Sequence, residues 1–545
     1  MKLFFTTVIT FLFIAPKLLA TTYYVATTGN DNTGTGSLSQ PFASLSRAIE
    51  EASPSDIIEL RGGNYVSNEI RINKNNLTIR SYLGETAILT AVTNVEDISS
   101  CIWYNEPETV GGVLENLEII GGYYYGIKFE SDWDWDNNIP FANRHGASNI
   151  TVRNCYIHHT GRDGVKLTPA CSNITIENCQ ISHTGTGPGA LLDYNAEGID
   201  NVNAPNMTVT ACYIHDIATT GIYVKGGGQN CLIQNNHIEN TGEGGIYLGF
   251  YTDADWFNTD ANPQYYENIN GTVINNYILN VQYAGIGLFG AKDAKVWFNT
   301  IINAATADTY AALMLAPSDV WVSDSYTATP PNNNVSIQNN IFVQPANATM
   351  PMVRVRENAI SGNVQWNNNL YYKNANNPIF IDDNITWEDL NFEQWQSQTN
   401  RDNNGLTVDP LLNAEGYLLP QSPCIDAGIP ISGWNTDFEG QTRTALPDIG
   451  ADELGNITAI TTTMPNNYPP THITPISNSP TTLLIANLPP IQTNAYIYNL
   501  NGQLIHQQTL PPQQFLWQLP DLVPSMYIIK ISQTNTVQKI FVTAK

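Results

Sequence analysis

Short segments that alternate apolar and polar residues recur along the first two thirds of the chain. One of them reads Asn149-Ile-Thr-Val-Arg-Asn-Cys-Tyr-Ile157, and similar phrases start at residues 173, 206, 230, 270, 294 and 334. Successive starts are most often 24 residues apart, with longer steps where extra residues are inserted. Alternation with a period of two residues is typical of β-strands, so every copy predicts strands at a regular spacing.

A second phrase, which begins with glycine, follows most copies of the first. Its copies are Gly126-Ile-Lys-Phe, Gly164-Val-Lys-Leu, Gly198-Ile-Asp-Asn, Gly221-Ile-Tyr-Val, Gly245-Ile-Tyr-Leu and Gly285-Ile-Gly-Leu. A repeat of about two dozen residues, with short strands and Asn or Gly at the corners, indicates a parallel β-solenoid. Leucine-rich repeats have a similar length, but the leucine and asparagine consensus that they need is absent.

Equivalent residues of successive solenoid turns stack about 4.8 Å apart. The repeat predicts two interior aliphatic columns, Ile127, Val165, Ile199, Ile222, Ile246 and Ile286, and Ile157, Ile181, Ile214, Ile238 and Ile278. A third column begins with Cys155, Cys179 and Cys212 and continues with Asn236 and Asn276. We expect these cysteines to be buried thiols, since in-register strands seldom supply disulfide geometry. The absence of a Cys-x-x-Cys pair from the sequence argues against zinc.

The chain is acidic, with 23 Lys and Arg against 49 Asp and Glu and a net charge of −26. Such a charge argues against nucleic acid and against an anionic membrane surface, since both are bound by clustered bases. A local cluster of bases can still attract an acidic polysaccharide. Composition therefore leaves a glycan as the expected partner.

The chain divides into segments of distinct composition. A basic Lys2, an apolar run and a small residue at position 20 predict a signal peptide, and no later stretch is long enough to span a membrane. Five prolines and no Lys, Arg, Asp or Glu between 456 and 480 predict an extended linker. The predicted organisation is 1–20 signal peptide, 21–385 β-helix with an N-terminal cap, 386–455 post-helix segment, 456–480 linker and 481–545 small all-β domain.

The ends of the repeat region resemble known secreted proteins. Tyr23-Tyr-Val-Ala-Thr-Thr-Gly-Asn-Asp-Asn and the helical spacing after Pro41 resemble the N-terminal cap of secreted β-helix proteins. Asp448-Ile-Gly-Ala-Asp-Glu453 resembles a segment that often follows such helices. The whole is similar to the pectate-lyase-like superfamily, and this resemblance implies a right-handed parallel β-helix.

The last segment resembles the C-terminal sorting domain of the type IX secretion system of Bacteroidetes. The resemblance rests on Tyr496-Ile-Tyr-Asn-Leu-Asn-Gly-Gln-Leu and on Met526-Tyr-Ile-Ile-Lys-Ile-Ser. It implies a β-sandwich that serves as an address tag, the secretion machinery as a partner, and a secreted or outer-surface location. The alternative is a carbohydrate-binding sandwich. We expect a monomer.

Candidate chemistry lies on the outward face of the strands that follow the repeat glycines, because long insertions surround this face. Four bases gather there beside three carboxylates and two tyrosines, and the insertions add tryptophans. The predicted catalytic residues are Lys166, Lys225, Arg162 and Tyr223. The predicted substrate-binding residues are Lys128, Tyr247, Trp133, Trp135 and Trp256. The predicted metal ligands are Asp163, Glu197 and Asp200.

A cationic, aromatic face favours β-elimination on a uronic-acid polysaccharide, where cations neutralise the substrate carboxylate and a base removes the neighbouring proton. Pectate-lyase-like enzymes use Lys or Arg as the base, often with calcium held by acids on neighbouring turns, and the resemblance implies these roles here. Glycoside hydrolysis by a pair from Asp163, Glu197 and Asp200 is the enzymatic alternative. A glycan-binding adhesin is the non-enzymatic one, and a ladder of solvated surface pairs remains the structural alternative.

Two further motifs are weighed in the same way. The alternating carboxylates of Asp132-Trp-Asp-Trp-Asp136 are typical of a calcium loop, but the glycine and distal glutamate of an EF-hand are missing. His158, His159, His183 and His215 are expected to stack at one corner and to satisfy hydrogen bonds there, with His183 near Asp216.

Overall fold

The computed structural model of the chain describes residues 20–133, 139–190, 195–307, 309–413 and 415–454, together with strands between His472 and Val542. Residues 22–382 wind into successive turns, and a full turn contributes one strand to each of three long parallel sheets. Each strand pairs with its equivalents in the turns before and after it, so the interior is a continuous apolar column. The predicted signal peptide lies outside the described residues.

The three sheets are numbered here in the order in which a turn visits them. Sheet 1 contains Thr22–Val25, Ile57–Leu60, Thr78–Ser81, Val110–Glu115, Ser148–Arg153, Thr175–Glu177, Thr208–Thr210, Leu232–Gln234, Thr272–Ile274, Lys295–Trp297, Ser336–Gln338 and Gln365–Asn367. Sheet 2 contains Gly63–Val66, Ala87–Thr90, Leu117–Ile120, Tyr156–His158, Gln180–Ser182, Tyr213–Ile217, His237–Thr241, Tyr277–Val281, Thr300–Ala304, Ile341–Gln344 and Leu370–Lys373. Sheet 3 contains Ile70–Arg71, Ser100–Tyr104, Tyr125–Phe129, Asp163–Leu167, Ile199–Val202, Ile222–Lys225, Ile246–Leu248, Ile286–Phe289, Leu313–Ala316, Val353–Val355, Phe380–Asp382 and the antiparallel Thr386–Leu390.

The predicted interior columns are confirmed by the register of these sheets. In sheet 3, Ile127 pairs with Val165, which pairs with Ile199, and the column continues to Ile286. The column from Ile157 to Ile278 runs in the same way through sheet 2. All members of both columns are fully buried. Strand periodicity and a regular repeat therefore set the register together.

Asparagines shape the corners of the turns. The first residue of the repeated phrase has a left-handed backbone, with φ of 57° at Asn149, 55° at Asn173 and 59° at Asn206. Asparagine tolerates this region better than other residues with a Cβ. The side chains also form a ladder along the outside, in which Asn173 donates to Asn149 at 3.0 Å and Asn206 donates to Asn173 at 2.9 Å.

A second asparagine ladder is buried and continues the cysteine column, as predicted. Asn236 donates to Asn276 at 3.0 Å, and the chain of amide hydrogen bonds continues through Asn299 and Asn340 to Asn369. Cys212 lies one turn before the ladder, and its backbone N–H donates to Asn236 at 2.9 Å. All seven cysteines of the chain are buried free thiols.

Two α-helices occur in the described residues. Leu45–Glu51 is capped by Ser44 and buries Leu45, Ala48 and Ile49 against the first strands of the sheets. Phe392–Thr399 follows the last turn, begins with a capping box on Asn391 and buries Trp395. Neither helix is long and apolar enough to cross a membrane.

Smaller sheets and short 3-10 helices lie outside the three long sheets. One parallel sheet at a corner contains Gly228–Gln229, Asn268–Ile269, Ala291–Lys292, Asn332–Asn333 and Ile360–Ser361. Two insertions meet in another sheet, which contains Thr252–Asp253, Val320–Ser323 and Tyr326–Ala328. The 3-10 helices are Phe141–Asn143 and Ala254–Trp256.

The C-terminal strands are antiparallel. One sheet contains His472–Ile476, Ser479–Leu488 and Gln513–Gln518, and the other contains Leu504–Leu510, Thr493–Asn499, Ser525–Ile531 and Val537–Val542. The first of these strands begins inside the segment 456–480, for which the sequence predicts a linker. Pro475 is compatible with a strand because His472–Ile476 is at the edge of its sheet, where a missing N–H costs little.

Candidate functional site

The site is built on sheet 3, where the outward positions of successive strands are in register. Trp103, Lys128, Lys166, Asp200, Tyr223 and Tyr247 form one row across six turns. Tyr125 and Asp163 are paired in the adjacent row, where Glu197 precedes Gly198 on the next turn. Inward aliphatics alternate with these residues and fix the direction of each side chain.

Three carboxylates converge on this face. Asp163 and Asp200 are fully buried and Glu197 is 3% exposed, and one oxygen from each lies within 4.8 Å of the others. Asp163 Oδ2, Glu197 Oε2 and Asp200 Oδ1 have no hydrogen-bond partner. A buried polar atom without a partner is costly, so these oxygens indicate a site for protons, a cation or a substrate.

Bases surround the three carboxylates. The Lys166 ammonium donates to Asp200 Oδ2, and Arg162 Nε lies 3.7 Å from Asp163 Oδ1. Lys166 is 8% exposed and Arg162 is 9% exposed, so both are packed into the cluster. Lys225 lies with its Nζ 4.1 Å from the ring centre of Tyr223, and within the described residues it has no carboxylate within 4.0 Å.

The carboxylates differ in acidity because their surroundings differ. Burial raises the pKa of Glu197 well above its usual range, and the charges of Asp163 and Asp200 raise it further. Burial also opposes ionisation of Asp200, but Lys166, Lys225 and Arg162 outweigh it and hold the pKa of Asp200 below its usual range. Burial raises the pKa of Asp163, although Arg162 opposes this effect. Glu197 is thus the proton carrier and Asp200 the charged group.

The expected cationic patch is corrected by these contacts. Lys128 Nζ lies 2.6 Å from Glu130 Oε2, and Lys166 and Arg162 are paired with the carboxylates already described. Three of the four bases are therefore neutralised by neighbours on the same face. Lys128 and Arg162 pair with acids on their own turns, Glu130 and Asp163, while Lys166 pairs with Asp200 on the next turn.

Two predicted surface tyrosines are buried. Tyr247 is 1% exposed and packs against Phe250, Phe289 and Tyr310, while Tyr223 is 5% exposed. Tyr247 is about as deeply buried as Asp163 and Asp200 in this arrangement, and its substrate-binding role stays a prediction. Burial raises the pKa of Tyr223 well above its usual range, which disfavours the ionised form that a base would need. The alternation placed both side chains outward correctly, but inserted aromatic residues cover them.

The tryptophans lie on the insertions, as predicted, but they stack on each other. The rings of Trp133 and Trp256 are 4.0 Å apart and nearly parallel, and Trp133 Nε1 donates to the Asp255 carbonyl at 3.1 Å. This contact joins the insertion after sheet-3 strand Tyr125–Phe129 to the insertion after Ile246–Leu248. Each indole therefore already covers one face of the other. Trp135 lies outside the described residues.

Glu267 is a buried acid that the sequence reasoning missed. It is fully buried and accepts hydrogen bonds from Gly226 N at 2.7 Å, Thr252 Oγ1 at 2.7 Å and Ser318 Oγ at 2.9 Å. Burial raises its pKa to about 8 despite these donors. One carboxyl thus ties the turn after Lys225 to two insertions. Its only sequence signal was its position at the end of an insertion.

The other two motifs take structural roles in the described residues. Asp132 accepts from the backbone N–H of His145 at 2.8 Å, while residues 134–136 of the expected calcium loop lie outside the described part of the chain. The histidines do stack, with 4.7 Å between the rings of His159 and His183. His183 lies beside Asp216, as predicted, and its backbone N–H donates to the Asp216 carbonyl at 2.9 Å. The Asp216 carboxylate pairs with the ring of His215, at 2.7 Å.

The donor set of the central cluster fits a hard cation. Asp163, Glu197 and Asp200 each present one carboxylate oxygen without a hydrogen-bond partner, and calcium prefers oxygen ligands of this kind. The cluster therefore suits either a shared proton or calcium.

Comparisons with known proteins identify the fold. A family described as a right handed beta helix region matches residues 84–255. XylC in complex with xylose is 11% identical, with a TM-score of 0.50, and the match covers 80% of this chain and 98% of that one. Pectate lyase Pel9A is 15% identical with a TM-score of 0.43, covering 80% of this chain and 96% of that one. No curated protein matches the chain in sequence.

Another similar structure is an alginate lyase from Paenibacillus, which is 16% identical with a TM-score of 0.33, covering 62% of this chain and 94% of that one. A likeness at 11% identity, such as that to XylC, concerns the fold alone. Residues 22–382 form a right-handed parallel β-helix, as predicted. The chemistry of the site has to be argued from its own side chains.

Proposed function

We propose that the protein is a glycoside hydrolase in which Glu197 is the general acid and Asp200 is the nucleophile. The observation that carries this proposal is a pair of converging buried carboxylates whose pKa values are driven in opposite directions. Such a pair assigns one group to protonation and the other to attack. This reverses the order of the two enzymatic interpretations that the sequence suggested.

The geometry favours retention of configuration. Retaining glycosidases hold their two carboxyl groups about 5–5.5 Å apart, while inverting enzymes need a larger gap for a water molecule. The nearest oxygens of Glu197 and Asp200 lie within 4.8 Å. This separation is shorter than the gap of inverting enzymes, so we assign the attack to the charged Asp200 oxygen itself.

Each residue of the cluster has a separate role in the proposed reaction. Lys166 holds Asp200 Oδ2 and leaves Oδ1 to attack the anomeric carbon. Glu197 gives its proton to the departing glycosidic oxygen as the bond breaks, and then takes a proton from the water that releases the sugar from Asp200. Burial, together with the charges of Asp163 and Asp200, keeps Glu197 protonated beforehand.

The test uses Glu197→Gln and Asp200→Asn, with exposed Glu388→Gln as a matched control. The proteins are incubated with pectin, alginate, glycosaminoglycans, xylan and aryl glycosides, and reducing ends and ultraviolet absorbance are followed. We expect the wild type to release reducing ends without unsaturated products. Each site variant should be about 10²–10⁴-fold slower than the wild type. Unchanged activity in both variants would refute the assignment.

β-Elimination on a uronic-acid polysaccharide is the second candidate. It is favoured by Lys225, the base that lies near the cluster without a carboxylate within 4.0 Å in the described residues. Arg162 and Lys166 would then bind the substrate carboxylate. A calcium ion held by Asp163, Glu197 and Asp200 would supply further neutralisation of that carboxylate.

The same panel separates the two candidates. A lyase gives products that absorb in the ultraviolet. If the protein is a lyase, Lys225→Ala should abolish these products. If it is a hydrolase, the same variant should keep a large part of the wild-type rate. An adhesin binds a glycan and releases neither product.

We also propose that the protein is secreted or held at the outer surface, as its first and last segments suggest. Fractionation of the producing cells would test this location.

A further inference from the structure

A second carboxylate cluster lies far along the chain, where the segment after the last turn folds back onto the β-helix. Asn235 donates from Nδ2 to the carbonyls of Asp437 at 3.1 Å and Phe438 at 2.7 Å. Phe438 packs edge-on against Tyr277 of sheet 2, with 4.7 Å between the ring centres. These contacts place the segment directly against the wall of the helix.

The cluster consists of Asp437, Glu439 and Asp452, and one oxygen from each lies within 4.8 Å of the others. Asp437 is fully buried and Asp452 is 7% exposed. Both carboxylate oxygens of Glu439 are buried and neither has a hydrogen-bond partner. Burial raises the pKa of Glu439 well above its usual range, the charges of Asp437 and Asp452 raise it further, and the Tyr417 hydroxyl opposes this effect.

Backbone amides orient the other two carboxylates. Asp437 accepts from Gln441 N at 2.7 Å and from Glu453 N at 3.1 Å, and Asp452 accepts from Leu418 N at 2.8 Å. The carboxylates are therefore held in place with lone pairs to spare. Preorganised oxygens of this kind are what a hard cation requires.

Tyr277 provides an independent observation. It is 1% exposed, and its hydroxyl has no hydrogen-bond partner. Its ring lies 4.7 Å from that of Phe438, the residue between Asp437 and Glu439, and 5.1 Å from that of Tyr417. Besides burial, the charges of Asp452, Glu439 and Asp437 raise the pKa of Tyr277. A buried hydroxyl that adjoins three acids and still lacks a partner indicates that a group between them is missing.

Charge in this segment is also unbalanced. Asp437, Asp448, Asp452 and Glu453 are all buried, and Arg443 is the buried base among them in the described part of the segment. Arg443 lies 3.3 Å from Glu453, so it offsets one acid. Burying several carboxylates beside a single guanidinium is unfavourable unless protons or a cation neutralise the rest.

We propose that Asp437, Glu439 and Asp452, with the Tyr277 hydroxyl, form a binding site for a hard divalent cation, calcium in particular. The bound ion pins the segment after the last turn to the side of the β-helix. The site is separate from the carboxylates of sheet 3, and the proposal does not depend on the reaction performed there. Its consequence is a protein whose stability depends on calcium.

The experiment uses the full chain freed of metal by a chelator and titrated with calcium alone, followed by calorimetry and thermal unfolding. Terbium, which replaces calcium and luminesces when a nearby tyrosine absorbs light, reports the position of the ion next to Tyr277. The variants are Glu439→Gln and Tyr277→Phe. Glu388→Gln, at an exposed position, is the matched control. Asp163→Asn removes one carboxylate of the sheet-3 cluster and so tests whether that cluster accounts for the ion binding.

We expect calcium to raise the unfolding temperature of the wild type, and Glu439→Gln to bind it at least about tenfold more weakly. Without calcium, Glu439→Gln should be more stable than the wild type, since it removes a repelled carboxylate that accepts no hydrogen bond. Tyr277→Phe should reduce the sensitised terbium signal, to which the neighbouring Tyr417 also contributes, and both Glu388→Gln and Asp163→Asn should keep it. The proposal is overturned if calcium leaves the unfolding temperature unchanged, or if Glu439→Gln binds calcium as tightly as the wild type.

Discussion

The buried asparagine ladder gives the sharpest test of what holds the β-helix together. The Asn299 side chain is fully buried and takes part in five hydrogen bonds. It donates to two backbone carbonyls and to Asn340, and it accepts from the backbone and side-chain amides of Asn276. We expect Asn299→Ala to weaken the contact between three consecutive turns.

The magnitude follows from what the substitution leaves behind. The backbone N–H of Asn276 loses its acceptor in a site without water, which costs about 1–3 kcal/mol. The other lost hydrogen bonds contribute about 0.5–1.5 kcal/mol each where their partners have no replacement. Because several of those partners keep a second hydrogen bond, we expect a total loss of about 3–5 kcal/mol in the free energy of unfolding.

The matched control is Asn173→Gly on the outer ladder. Asn173 has a φ of 55°, which glycine adopts without strain, and its side chain makes two exposed hydrogen bonds. We expect a loss below about 1 kcal/mol. Guanidinium unfolding measures both values, and hydrogen exchange at the amide of Asn276 reports the local opening. A loss below about 1 kcal/mol in Asn299→Ala would refute the argument that satisfied buried amides stabilise the turns.

Three more outcomes follow from the site. Activity should fall as the pH drops through the lowered pKa of Asp200 and as it rises through the raised pKa of Glu197, and a flat alkaline limb in kcat/KM would contradict the assignment. The pKa of Glu267 in the folded protein, about 8, lies above its unfolded value, so the stabilisation from the protonated carboxyl is present in acid and is lost as the pH rises toward 8. Glu267→Gln should abolish this pH dependence, as measured by the unfolding temperature at a series of pH values. Tyr247→Phe removes a buried hydroxyl without a partner and should leave activity unchanged and stability equal or slightly higher, whereas a loss of substrate affinity would support its predicted binding role.

The proposed hydrolase and the calcium site make separable demands on the protein. Loss of calcium should loosen the segment around Asp437 and lower the unfolding temperature, while the carboxylates of sheet 3 keep their positions. A chelator that lowers stability but not the initial rate would therefore separate the two. A chelator that abolishes the rate first would instead favour calcium at Asp163, Glu197 and Asp200, and with it the lyase chemistry.

The sequence by itself determined the solenoid and its interior. A strand period of two and a repeat of 24 residues are local properties, and they place Ile199 beside Val165 and Ile222 without any knowledge of the rest of the molecule. The same spacing brought Asp163, Glu197 and Asp200 to one face, so the central carboxylates could be predicted as a group.

Only the tertiary structure decided what each of those outward residues does. Insertions differ from turn to turn and obey no repeat, so the cover over Tyr247 and the three donors around Glu267 could not be read from spacing. Acidity depends on burial and on distances across turns. The pKa of Glu197 is therefore raised and that of Asp200 lowered, although the sequence shows two similar carboxylates. The repeat determines which residues are neighbours. The irregular segments that fold back over these residues determine their burial and their acidity.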